Sequence, residues 1–178
     1  GRELLVEIAG YHAKWLDGEG KLYFTEEGFD NYYIGKGSTY PQVNGSLGIL
    51  FEAGAQMGIA RKGALGVKTY AENIQTHFGT SLSTIEGAAA MRGKLHDYQR
   101  SFFAEATKLA KSDKVKGYVF RAPEDTARLD MFLDLLSRHK VKTYRVEGNV
   151  KADGTTYGAE SFIVPMDQPQ YRMAKALF

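Results

Sequence analysis

Apolar residues change their period several times along the chain. Leu4, Leu5, Ile8, Tyr11, Trp15 and Leu16 recur at three- and four-residue spacing, which predicts an amphipathic helix that stops at the glycines of DGEG. The period is then lost through GKLYFTEEGFDNYYIGKGSTYPQVNG, a loop whose tyrosines and phenylalanines favour packing over a free linker. In SLGILFEAGAQMG, Leu47, Ile49, Leu50 and Phe51 form a short apolar run bounded by glycines, the pattern of a buried strand. After the glycine-rich bend IARKGALG, VKTYAENIQ reads as a short strand running into a helical turn. From Thr80 to Lys111 the series Leu82, Ile85, Ala89, Leu95, Tyr98, Phe102, Ala106, Leu109 keeps helical spacing, and TSLSTIE supplies Ser and Thr cap candidates.

Beyond KSDK the pattern becomes strand, helix, strand. KGYVF is a strand, PEDTARLDMFLDLLSRH a helix with Leu129, Phe132, Leu133 and Leu136 on one face, and VKTYRVEG a second strand. That succession with short joins predicts a right-handed crossover between parallel strands, the start of a doubly wound, Rossmann- or flavodoxin-like sheet. After the turn signal ADGTTYG come a short strand, SFIVP, and a helix beginning in QPQYRMAKALF. The expected class is therefore α/β, with one part at 1–112 and a second, incomplete part at 113–178.

Composition adds mainly exclusions. The chain has 178 residues, 43% hydrophobic and 25% charged, which suits ordered globular structure and one good core or two small ones. Its 23 basic and 21 acidic residues are interspersed, so no like-charge run points to nucleic acid or a membrane surface. No apolar run approaches the roughly 18 residues that span a membrane. The absence of cysteine removes disulfides, thiolate metal sites and a cysteine nucleophile. The leading glycine and the end at MAKALF, in mid-pattern, are read as the limits of a piece from a longer protein.

Three candidate chemistries can be weighed on spacing. GKGST evokes a phosphate loop, but Lys36 is followed by Gly37 rather than Ser or Thr, no glycine lies at the required distance upstream, and the segment precedes a strand. KGYVFRAPEDTAR joins its strand to its helix without the glycines a dinucleotide's pyrophosphate needs. His12, His77, His96 and His139 stand far apart and outside any HExxH or HxxE pattern, so each reads as a surface residue rather than a ligand. Glu52 is the residue that needs explaining. A carboxylate on a buried strand pairs with a cation, caps a backbone group, or has its pKa raised for acid/base work.

GKGSTYPQVNGSLGILFEAGAQMG, continued by NIQTHFGTSLSTIEGAAAMRGKLHDYQRSFF, resembles the C-terminal half of the catalytic domain in a bacterial subfamily of zinc metallocarboxypeptidases related to carboxypeptidase A. KGYVF through VPMDQPQYRMAKALF resembles the accessory domain that follows it, itself similar to a class I glutamine amidotransferase fold. The resemblance implies that Glu52 is the general base and acid for a zinc-bound water. It also implies that Tyr33 closes over the C-terminal residue of a peptide substrate, with Tyr32 as the neighbouring alternative and Tyr40 near the specificity pocket. The family's HxxE pair, later histidine and substrate-binding Arg and Asn do not occur here. Zinc is therefore expected in the longer protein and not in this chain, which by itself would be inactive. The competing reading is a non-catalytic binding or structural module with Glu52 in a buried ion pair. Export or a periplasmic location follows from the resemblance alone.

Overall fold

A computed structural model describes residues 1–25, 33–53, 58–64 and 66–178. Helices and short antiparallel sheets alternate, a mixed α and β structure. They form two compact units, Gly1–Gln42 with Ser46–Tyr98, and Val43–Gly45 with Gln99–Phe178. The division falls inside a helix rather than at the KSDK stretch that follows it.

In the first unit, α1 (Arg2–Gly18) forms as its periodicity predicts and ends beside Gly20, whose φ of +61° suits a residue without Cβ. The bend IARKGALG is an antiparallel hairpin, β1 (Ala60–Gly63) with β2 (Gly66–Thr69). Thr69 then caps α2 (Tyr70–Ala90). Its hydroxyl accepts from the Glu72 N–H at 3.2 Å, and the Glu72 carboxylate accepts from the Thr69 N–H at 2.6 Å. This reciprocal box holds the Glu72 carboxyl below its usual range, chiefly through the backbone hydrogen bond from Thr69. The helix predicted from Thr80 thus begins ten residues earlier, at Tyr70, and the cap is TYAE rather than TSLSTIE. It also breaks at Met91 before α3 (Arg92–Ser112), so the long periodic run is two helices.

α2 packs against α1 with its small side. Gly79, Ser83 and Gly87, four residues apart, face Trp15, His12, and Ile8 with Tyr11 respectively, so the two helices run antiparallel in close contact. Leu82 and Ile85, the first residues of the helical-spacing series, are exposed. Among the described residues of this unit, the buried apolar side chains are Ile8, Leu16 and Met91.

SLGILFEAG is the main correction. Residues 47–53 form no strand, and the segment runs irregularly after a short 3-10 turn at Gln42–Asn44.

The second unit contains β3 (Gly117–Phe120), α4 (Thr126–Arg138), β4 (Tyr144–Arg145), the hairpin β5 (Val150–Ala152) and β6 (Thr155–Tyr157), β7 (Phe162–Pro165) and α5 (Tyr171–Leu177). The expected crossover is only half realised. β3 and β4 do point the same way, but β7 lies between them and is antiparallel to both. The sheet is therefore antiparallel. The ADGT turn has φ of +46° at Asp153 and +79° at Gly154, the positive pair that a two-residue hairpin requires.

Leu136, Val164, Met166 and Met173 are fully buried and join α4, β7 and α5 in one core. Phe120 meets Phe132 edge to face at 5.2 Å, while Tyr118 stacks on Phe178 at 4.5 Å. Buried Gln168 substitutes for a strand neighbour of the segment before β4. Its Oε1 accepts from the Lys142 N–H at 2.8 Å, and its Nε2 donates to the carbonyls of Lys142 and Pro165. This gives QPQYR a structural reason of its own.

Asp113 ties α5 to the end of α3. Its carboxylate accepts from the Tyr171 hydroxyl at 2.6 Å, from the Val115 N–H at 3.1 Å and from the Lys175 ammonium. These donors, Lys175 foremost, hold the Asp113 carboxyl well below its ordinary 3.8. A depressed carboxyl contributes stability that is complete above the unfolded value and is lost as the pH falls beneath it. Asp113→Asn is expected to lower the thermal midpoint at pH 7 by several degrees, and the gap from the unsubstituted protein should close as the pH drops below 3.8. Calorimetry across pH 2–7 measures this directly. A gap of the same size at every pH would remove the charge from the explanation.

Candidate functional site

The residues singled out from sequence lie in one segment of the first unit. GKGSTYP is a chain of successive turns. The Lys36 N–H donates to the Tyr33 carbonyl at 3.1 Å, and the N–H groups of Thr39 and Tyr40 donate to the Lys36 carbonyl at 3.0 Å. These turns bring Tyr33 and Tyr40 onto one loop and engage the amides a phosphate cradle would leave open. Ser38 and Thr39 are buried beneath it, and Tyr33 is 62% exposed with its ring folded over Gly35. Tyr32 lies outside the described residues.

That loop is fitted closely to the segment carrying Glu52. The Ser38 carbonyl accepts from the Gln42 side chain at 3.0 Å and also lies against Gly48. A Cβ on Gly48 would stand 1.7 Å from that carbonyl oxygen, so only glycine fits where the two stretches meet. Phe51 anchors the segment from its other end, its ring meeting that of His12 edge to face at 4.8 Å. Immediately after Phe51, outside the stretch between these two contacts, Glu52 is exposed. A buried carboxylate on a strand was expected; an accessible one on an irregular segment is found. With no strand partner to bury both faces of the run, the contact with His12 turns Phe51 inward and leaves Glu52 outward.

His12 is the residue that spacing misjudged. It is 5% exposed, not a surface group, and its Nδ1 lies 2.8 Å from the hydroxyl of buried Ser83. Burial pushes its pKa down, which favours the neutral ring. Nε2 has no hydrogen-bond partner among the described residues. The signal was present in sequence: Ile8, His12 and Leu16 stand four apart on α1, and all three are buried.

Among the described residues no group of three or more His, Cys, Asp or Glu could hold a metal ion. His12 faces Ser83 and Phe51, neither of which is a ligand that zinc commonly takes. The described residues therefore offer a loop with two tyrosines and, on the segment that meets it at Gly48, an accessible carboxylate four residues further on. No family model, no curated protein and no solved structure matches this chain.

Proposed function

We propose that this chain is the late part of a zinc-dependent metallocarboxypeptidase together with the start of an amidotransferase-like accessory domain. Glu52 would be the proton carrier for hydrolysis of the C-terminal peptide bond. The words GKGSTYP, GILFEAG and VPMDQPQYR suggest the family. The observation that carries the reading furthest is the close fit of Gly48 to Ser38, which couples the loop of Tyr33 and Tyr40 to the segment of Glu52. A site that holds a peptide terminus and moves a proton needs those groups at fixed separation.

Within this reading Glu52, being accessible, accepts a proton from the attacking water and returns it to the leaving amine. Tyr33 and Tyr40 cover the terminal residue of the peptide. Zinc ligands would come from parts of the longer polypeptide other than the described residues. The exposure of Glu52 weighs against the buried ion pair of the competing module reading, because an ion pair in water contributes little.

The test is an assay of the longer polypeptide, including the residues preceding Gly1, on peptides with free and amidated C-termini. Release of single C-terminal amino acids from the free peptide, abolished by a chelator and restored by zinc, is the expected result. Failure to release any amino acid from a panel of peptides, with one zinc bound per chain, would remove the peptidase reading.

A further inference from the structure

Where α4 turns into β4, the second unit leaves a cavity of about 440 Å³, within the range of volumes that hold small molecules. Its apolar wall is Val141, which is buried, with Leu133 of α4 and Phe162 of β7, which are half-buried. Its polar residues are Ser137, Lys140, Lys142 and Thr143, and among the described residues lining it there is no Asp or Glu. Lys140 and Lys142 enter no ion pair among the described residues, whereas nearby Arg138 is matched by Asp134 at 2.7 Å.

The backbone of this lining is fixed. α4 ends as the Lys140 N–H donates to the Ser137 carbonyl and the Val141 N–H to the Leu136 carbonyl, both at 2.9 Å. Glycine is the usual residue where Lys140 has a φ of +56°, so a lysine is held there at a conformational cost. Buried Gln168 then engages both backbone groups of Lys142. A cation at Lys140 suits the negative end of α4, but Lys142 lies past that end and has no such role.

We propose that this cavity binds a small amphiphilic anion, an apolar body ending in one carboxylate. The body lies against Leu133, Val141 and Phe162, and the carboxylate pairs with Lys140 and Lys142. Two hydroxyls supply further donors. That of Ser137 has no partner among the described residues, and that of Thr143 reaches only the Val141 carbonyl, at 3.5 Å. A neutral ligand would leave both ammonium groups unanswered, and a cation would be repelled by both. The cavity lies wholly in the second unit, so the proposal goes beyond the peptidase reading and does not depend on it.

Octanoate is the probe, with octanol as its neutral counterpart, each titrated into the 178-residue chain and followed by amide NMR. Octanoate should bind once per chain with a Kd on the order of 0.1–1 mM, and octanol about 10-fold more weakly. The amide shifts should centre on Leu133, Ser137, Lys140 to Thr143 and Phe162. The charges are then removed together. Lys140→Gly suits the positive φ and Lys142→Gln changes an exposed side chain, so the fold should stand. The double variant should bind octanoate about 10-fold more weakly, no better than octanol, with octanol binding unchanged. Equal affinities of the unsubstituted chain for octanoate and octanol would overturn the proposal. So would unchanged octanoate binding in the double variant, shifts centred elsewhere in the chain, or no saturation by octanoate up to about 10 mM.

Discussion

Glu52→Gln, introduced into the longer zinc-loaded protein, should lower kcat by about 10²- to 10⁴-fold while zinc content and KM stay unchanged. Glutamine keeps the size and most of the hydrogen bonding of glutamate but cannot take a proton from water. Since Glu52 is exposed, the same change should leave the stability of the 178-residue chain within about 0.5 kcal/mol. That second measurement separates the two readings. Breaking a buried ion pair would cost about 3–5 kcal/mol and would appear in a denaturant titration even without any substrate. An unchanged kcat would exclude Glu52 as the proton carrier.

A large effect on stability should come from Gly79→Ala. In an open helix position this change is favourable, because glycine costs about 1 kcal/mol relative to alanine. At Gly79 the added Cβ would stand 1.8 Å from Cζ2 of Trp15, so α1 and α2 must separate or Trp15 must leave its rotamer. The expected net destabilisation is about 1–3 kcal/mol. Gly10→Ala supplies the contrast, since that position on α1 has nothing within 4 Å of a new Cβ and should gain about 0.5–1 kcal/mol. The same substitution thus has opposite signs on two helices that touch. Trp15 is the single tryptophan of the chain, so its emission should shift to the red in Gly79→Ala and stay unchanged in Gly10→Ala. Equal effects at the two positions would mean that Gly79 does not set the spacing of the helices.

Much of the local structure could be read from the chain. The period of Leu4 to Leu16 specifies α1, the cluster VKTYAENIQ specifies a strand entering a helix, and ADGT specifies its hairpin. In these cases the forces are local: hydrogen bonding along a helix, capping by a side chain three residues away, and the positive φ that Asp and Gly tolerate. The cap itself was also legible, as Thr69 and Glu72 in TYAE, although the hydroxyls of TSLSTIE drew attention to the wrong place.

Long-range packing decided the rest. An apolar run such as GILF fits a buried strand, but a strand exists only where a neighbour supplies its ladder, and among the described residues no such neighbour is paired with residues 47–53. The order of three strands could not be had from the succession β3, α4, β4, because β7 enters between them from later in the chain. Periodicity correctly found one apolar stripe on α2, yet it could not say which of two faces meets α1. Contact with Trp15 favours glycine over leucine there, so the small face went inward and the large face was left outward. Sequence by itself determined where the chain coils, turns and changes period, since those depend on residues within a few positions of one another. Only the tertiary structure decided that His12 is buried and Glu52 exposed, because burial depends on which distant segment, here Ser83 and Phe51 for His12, closes over a side chain.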